Sequence, residues 1–130
     1  MWRVSNLKFR IRCAWQRLTR GYDDNMKWGF CDAFPGIIIP VLQAMINNQH
    51  GFPANLDKYC LTTDGTKAQR KKEFNRAYKE WTNILKDIKK GFEAVEKLDD
   101  FPGKEQRDKL TKEFDKGLEL FVKHYHSLWD

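Results

Sequence analysis

Residues 74–95 read FNRAYKEWTNILKDIKKGFEAV, and this stretch decides the fold class of the chain. Its large apolar side chains recur at alternating spacings of four and three residues, at Phe74, Tyr78, Trp81, Leu85, Ile88, Phe92 and Val95. That alternation places them on one face of an α-helix. The pattern therefore predicts a long amphipathic helix, which we extend over residues 67–98.

A second long helix is predicted immediately after a short turn. Residues 99–103 read DDFPG, a composition typical of turns. Residues 104–129 then repeat the helical pattern, with inward-facing side chains predicted at Leu110, Phe114, Leu118, Phe121, Tyr125 and Leu128. Two long amphipathic helices joined by a short turn form an antiparallel hairpin. We favour this hairpin over an intermolecular coiled coil because the turn already supplies each helix with a partner.

Two shorter helices are predicted in the N-terminal half. The first covers residues 6–20, is capped by Ser5 or Asn6 and ends at Gly21. Its inward face is predicted to carry Leu7, Ile11, Ala14 and Leu18. Residues 19–32 are predicted to break the helical pattern and form a loop.

The second of these helices covers residues 33–49, with Asp32 as its predicted N-cap and Pro35 in its first turn. Pro40 is expected to kink this helix or shift its start. Because the helix is apolar on most sides, we place it centrally. Together these patterns predict an all-α fold: one domain of residues 1–130 with four helices, the hairpin packing on a basic first helix and an apolar second helix.

Composition narrows the classes of protein that fit. The three cysteines form no Cys-x-x-Cys pair, which favours a reduced intracellular setting with buried free thiols at Cys13, Cys31 and Cys60. His50, His124 and His126 have no zinc-site spacing. The longest apolar run, residues 37–42, is too short to span a bilayer, so no membrane partner is predicted.

Positive charge is concentrated at the N-terminus. The chain carries a net charge of +6, and residues 1–22 hold six basic residues and no acidic one: Arg3, Lys8, Arg10, Arg12, Arg17 and Arg20. At roughly 100° per residue, Arg3, Arg10 and Arg17 line one flank of the apolar face of this helix. Lys8 and Arg12 line the other flank. Two alternatives stay open: the arginines bind a phosphate-like anion, or they pair with the chain's own acids.

The densest group of binding-type side chains follows this helix, in residues 20–28, RGYDDNMKW. We predict a ligand- or partner-binding site made of Arg10, Arg17, Arg20, Tyr22, Asp23, Asp24 and Trp28. In the structural alternative, an aspartate caps the next segment, the two aspartates neutralise Arg17 and Arg20, and Tyr22 and Trp28 bury against the last helix.

No pattern of catalytic residues is visible in the sequence. A Ser/His/Asp or Cys/His arrangement cannot be argued from the spacings, and neither of the common glycine-rich phosphate-binding motifs occurs. A magnesium site built on Asp23, Asp24 and Asp32 would have too few carboxylates. We therefore predict a protein that is not an enzyme and has no catalytic residue, cofactor or metal.

Several motifs resemble a family of small all-helical proteins encoded by tailed bacteriophages. They are the opening R-L-T-R-G-Y-D-D of residues 17–24 with Trp28 after it, and the region of residues 40–42. The turn H-G-F-P of residues 50–53 and the run W-T-N-I-L of residues 81–85 are similar too. The ending matches in G-L-E-L-F of residues 117–121 and L-W-D of residues 128–130. The resemblance spans nearly the whole chain and implies a phage accessory protein in the cytoplasm of an infected bacterium.

These observations lead to one functional expectation and one alternative. We expect a non-catalytic protein that binds and neutralises a host component, either a protein of a defence system or a small nucleotide immune signal. The alternative is a nucleic-acid-binding accessory protein that uses the basic first helix and the basic residues between Lys67 and Arg76. A homo-oligomer is an open alternative for the assembly state.

Overall fold

The computed structural model describes residues 2–49, 51–53 and 66–128, with the side chains from residue 6 onward. Its elements in chain order are α1 (Trp2–Arg20), α2 (Asp24–Trp28), α3 (Phe30–Asn47), α4 (Lys67–Leu98) and α5 (Lys104–Lys123), followed by a single 3-10 turn (Tyr125–Ser127). No strand occurs among the described residues, which confirms the all-α prediction. His50, Cys60, Trp129 and Asp130, named above for their sequence context, lie outside the described residues.

Residues 2–49, 51–53 and 66–128 contain five α-helices, where the sequence predicted four helices. Residues 24–28, predicted as part of a loop, form the short helix α2, because Asp23 caps it. Residues cluster in space into two compact units, Met1–Ile37 and Ile38–Asp130. The single domain predicted from length stays a prediction.

Helices α4 and α5 form the predicted antiparallel hairpin, and α4 has the predicted bounds of residues 67–98. The start of α4 is fixed by a capping box. The Thr66 hydroxyl accepts a hydrogen bond from the backbone N–H of Gln69, and the side-chain oxygen of Gln69 accepts one from the backbone N–H of Thr66. The sequence analysis did not single out this T-x-x-Q signal. The capping box therefore defines the first turn at the N-terminal end of α4, where basic residues are most frequent.

The two helices approach most closely at a pair of glycines, Gly91 on α4 and Gly117 on α5. A Cβ atom on Gly91 would lie 2.8 Å from the Cα atom of Gly117 and 3.1 Å from the carbonyl oxygen of Glu113. Ion pairs join the helices on either side of this crossing, Lys90 to Glu113 at 3.5 Å and Lys116 to Asp87 at 3.6 Å. The absence of side chains at both glycines lets the backbones touch.

The buried face of α4 is wider than the predicted seam. Trp81, Leu85, Ile88 and Phe92 are buried as predicted, and so are four residues outside the seam: Ala77, Ile84, Gly91 and Ala94. Most of these additional residues are small, so a search for large apolar side chains misses them.

Some positions predicted to face inward do not. Phe74 is 48% exposed and packs its ring at 5.0 Å from Phe52. Leu118 on α5 and Tyr125 in the 3-10 turn are exposed, and the regular helix ends at Lys123 instead of residue 129. At this end of the hairpin, His124 faces inward instead. Its ring packs edge-on against Trp81, with 5.5 Å between the ring centroids.

Helices α1 and α3 also depart from their predicted bounds. Helix α1 begins before Ser5 and Asn6, so neither residue caps it, whereas Gly21 ends it as predicted, with a φ of +82° and its amide donating to the Arg17 carbonyl. Helix α3 begins at Phe30, which places Asp32 inside its first turn instead of at the N-cap, and the helix continues through Pro40.

The placement of α3 as a central buried helix is wrong. Only Pro35 and Leu42 of its residues are buried, and Cys31 is exposed, contrary to the buried thiol predicted there. Among the described residues, α3 alone is long and apolar enough to cross a bilayer, with a mean hydropathy of 1.4 over 18 residues. Core helices of soluble proteins and signal sequences have the same composition, so composition alone assigns no membrane span.

His124 is a buried imidazole whose Nδ1 atom has no hydrogen-bond partner in the described part of the chain. Burial, together with the nearby positive charge of Lys123, lowers the pKa of His124 below its ordinary 6.5. The folded state therefore holds this ring neutral at a pH where the unfolded chain already binds a proton.

We predict that the hairpin loses stability in mild acid because of His124. Above pH 6.5 the ring is neutral in both states and its contribution is complete. As the pH falls through 6.5 the unfolded state is protonated first, and the loss continues until the lower folded-state pKa is passed. Melting temperatures measured at several pH values should fall across this window in the wild type and much less in His124→Gln. The exposed His126→Gln is the control, and a profile for it that matches His124→Gln would contradict the assignment.

Candidate functional site

The candidate site is a corner in which α2 folds back against α1, and we call residues 12–28 the α1–α2 corner. The turn depends on Gly21, whose left-handed backbone conformation is cheap only for glycine. The face of α1 that meets α2 carries Cys13, which is 6% exposed, and polar or charged side chains one turn apart. This arrangement brings two carboxylates of α2 onto the basic helix.

Asp23 is the more enclosed of the two carboxylates, with 2% of the residue exposed. Its Oδ1 accepts from the Met26 amide at 2.8 Å as the N-cap of α2, and its Oδ2 accepts from the Arg17 guanidinium. The hydrogen bond from Met26, with the help of Arg17, holds the pKa of Asp23 below 3.8 against the opposing effect of burial. The ionised carboxylate of Asp23 therefore links α1 to α2.

Asp24 is held by three side chains of α1. Its carboxylate accepts from Gln16 at 2.9 Å and from Arg20 at 2.6 Å, and Arg12 lies at 3.4 Å. The Asp24 amide in turn donates to the Gln16 side chain at 3.0 Å. The hydrogen bonds from Gln16 and Arg20 lower the pKa of Asp24 from its ordinary 3.8.

The aromatic members of the predicted site point outward. Trp28 is 78% exposed and Tyr22 is 46% exposed, so the alternative prediction that both are buried is wrong. The Arg20 guanidinium lies over the Tyr22 ring, 4.6 Å from its centroid, and also donates to the Tyr22 carbonyl. Arg20 thus connects Asp24 to the exposed ring of Tyr22.

Arg10 forms no ion pair with the described residues and lines a shallow groove of about 520 Å³. The groove is contained in the first unit, and its polar and charged lining comes from Arg10, Arg17, Asp23 and Asn25. The buried Cys13 also lines the groove. The groove is open to solvent along its length, so it suits contact with a surface better than enclosure of a small molecule.

The seven predicted residues therefore fall into three groups: two ion pairs, two exposed aromatic side chains, and Arg10 in the groove. Arg17 and Arg20 pair with Asp23 and Asp24, as the structural alternative predicted, while Tyr22 and Trp28 are exposed beside them. Whether the group binds a ligand or a partner stays a prediction. Gln16 and the pairing of Arg12 with Asp24 were not predicted. The signal for both was the i, i+4, i+8 spacing of Arg12, Gln16 and Arg20, which places them on one helical stripe.

The two aspartates of the corner bind protein donors. The described residues contain no group of three or more His, Cys, Asp and Glu side chains placed to hold a metal ion. Asp23 and Asp24 direct their oxygens to arginine, glutamine and backbone donors instead.

Comparison with known proteins identifies no relative: no protein-family model, curated protein or solved structure gives a significant match. The fold and site define an all-α protein with a helical hairpin and a braced, aromatic-bearing corner. The resemblance to phage-encoded proteins stays a prediction from the motifs.

We predict that Asp23 braces the corner in two separable ways. Asparagine is nearly as good an N-cap as aspartate, so Asp23→Asn removes the charge paired with Arg17 and keeps the cap, whereas Asp23→Ala removes both. Melting temperatures should decrease in the order wild type, Asp23→Asn, Asp23→Ala. The exposed Asp115→Asn serves as the control. Equal melting temperatures for all four proteins would show that Asp23 contributes nothing to the fold.

Proposed function

We propose that this chain is a non-catalytic accessory protein of a tailed bacteriophage, which binds and neutralises a component of the bacterial host in the host cytoplasm. The observation that carries the proposal is the exposure of Trp28 and Tyr22 on a corner held rigid by ion pairs. Exposed tryptophan, tyrosine and arginine are the residue types that dominate binding at protein interfaces. A braced corner presents them without a large loss of conformational entropy on binding.

A host protein is a better-supported target than a nucleotide signal. Arg12, Arg17 and Arg20 already face the carboxylates of Asp23 and Asp24. A nucleotide phosphate would have to displace these carboxylates and leave them without their partners, one of them buried. A protein surface can instead cover Trp28 and Tyr22 while the ion pairs stay intact.

A second candidate function rests on the start of α4. Lys67, Arg70 and Lys71 surround the half-exposed Phe74 at a surface depression. Cations beside an accessible ring suit single-stranded nucleic acid, where the phosphates bind the cations and a base stacks on the ring. We expect this binding to be weak, with a log–log salt slope of about −0.7 per phosphate contact, and to vanish near physiological salt. Tight binding at physiological salt would place nucleic acid ahead of a protein target.

The function is tested by pairing a phage assay with thermal melting. The chain is expressed from a plasmid in bacteria that restrict a phage, and the efficiency of plating is measured. We expect wild type to raise plating, and Trp28→Ala and Tyr22→Ala to abolish the effect with unchanged melting temperatures. Phe101→Ala, which removes a still more exposed ring elsewhere, is the control and should keep the activity. Activity that tracks melting temperature across these variants would contradict a binding role for the corner.

A further inference from the structure

Three of the four residues of α1 predicted to point inward, Leu7, Ile11 and Leu18, are instead exposed, while Ala14 is half-buried. Leu7, Ile11, Trp15 and Leu18 lie on one side of the helix and are 56%, 60%, 66% and 82% exposed. We call these four residues the apolar face of α1. Contiguous exposed apolar side chains mark surfaces that bind proteins, membranes or ligands.

The same helix makes its contacts within the first unit through the opposite side. Cys13, Gln16, Arg17 and Arg20 face α2, and at roughly 100° per residue they lie on the other half of the helix from the apolar face. Within the first unit, the corner therefore orients α1 with its apolar face away from α2.

The basic residues of α1 divide by their partners. Arg12, Arg17 and Arg20 pair with the aspartates of α2. Lys8 and Arg10 border the apolar face, one on each side, and within the described part of the chain neither forms an ion pair. Two free cations flanking an apolar strip are complementary to a surface that is apolar inside and anionic at its edge.

Helix α3 gives a separate indication of an apolar environment. It has the composition of a bilayer-crossing helix, yet only 11% of it is buried, unlike the core helix of a soluble protein. Phe30, Ile37 and Val41 are each at least 45% exposed. Its apolar surface is thus available to lipid.

We propose that α1 lies in the interface of an anionic bilayer, with its apolar face among the acyl chains and with Lys8 and Arg10 on lipid phosphates. A helix with an apolar strip, basic flanks and a tryptophan at the boundary is typical of interfacial helices. A second copy of the chain is a poorer occupant, because a paired apolar face would bring the unpaired basic flanks of two helices together. This proposal replaces the sequence-based prediction that no membrane is a partner.

The test is co-sedimentation of the full chain with vesicles of phosphatidylglycerol or of phosphatidylcholine. We expect binding to phosphatidylglycerol that weakens as salt is raised, and little binding to phosphatidylcholine. Lys8→Gln and Arg10→Gln should each reduce the partition coefficient about fivefold. Ile11→Glu and Leu18→Glu should abolish binding, while Val122→Glu, a matched change at an exposed site of α5, should leave it intact.

A second measurement guards against a folding artefact. Brominated phosphatidylglycerol should quench part of the wild-type tryptophan fluorescence, and Trp15→Phe should lose that quenched part while still binding. Equal binding to both lipids, or binding that survives Ile11→Glu and Leu18→Glu, would overturn the proposal. A vesicle-free dimer that these two substitutions dissociate would overturn it in favour of a second copy.

Discussion

Replacing Trp81 by alanine should lower the free energy of unfolding by about 3–5 kcal/mol, because it empties a large buried site in the hairpin. Trp81 is 3% exposed and its ring packs edge-on against His124 at 5.5 Å. The ring lies near the open end of the hairpin, where α5 gives way to the 3-10 turn.

The matched control for this change is Trp28→Ala, which removes the same side chain from a site that is 78% exposed. It should change the free energy of unfolding by no more than about 0.5 kcal/mol. Urea denaturation of the three proteins gives both values. A loss below about 1 kcal/mol for Trp81→Ala, or equal losses for the two tryptophans, would show that the hairpin core is not where we describe it.

The second large effect is expected at the glycine crossing. Gly91→Ala places a Cβ atom 2.8 Å from the Cα atom of Gly117, and both of the nearest obstacles are backbone atoms that cannot rotate away. The helices must separate locally, which should cost about 1–3 kcal/mol and exceed the gain in helix propensity of about 1 kcal/mol.

Gly36→Ala is the control for the crossing, since Gly36 lies inside α3 and a Cβ atom there meets nothing within 4 Å. It should stabilise the protein by up to about 1 kcal/mol through helix propensity alone. The two alanine substitutions are thus expected to have opposite signs in urea denaturation. Stabilisation by Gly91→Ala would mean that α4 and α5 do not touch at this point.

The hairpin was predictable because its signal is local and repeated. Large apolar residues at spacings of four and three specify α4, and a five-residue turn leaves α5 one nearby partner. The crossing at Gly91 and Gly117 was not predictable, because a glycine carries no apolar signal and its role depends on the other helix.

The N-terminal unit was harder to predict because periodicity shows that a helix has an apolar face but not what covers it. Leu7, Ile11 and Leu18 have core-like spacing, yet α1 uses its polar side for contact with α2. The short helix α2 depends on a single cap at Asp23, which is too little pattern to distinguish from a turn.

The candidate site was predictable as a cluster but not in its internal pairing. Two arginines, two aspartates and two aromatics close together in sequence indicate a polar corner. Which carboxylate meets which arginine follows from the left-handed turn at Gly21, and the sequence does not fix that geometry uniquely. The exposure of Trp28 could not be read from its type, because tryptophan is usually at least partly buried.

The most direct test of the proposed function is photo-crosslinking from position 28 inside bacterial cells. A photoreactive phenylalanine replaces Trp28 in one protein and Phe101 in another, since both sites are strongly exposed. We expect position 28 to give one discrete adduct with a host protein, lost when Tyr22 is also changed to alanine, and position 101 to give none. No adduct at position 28, or the same adducts at both positions, would contradict a partner-binding corner.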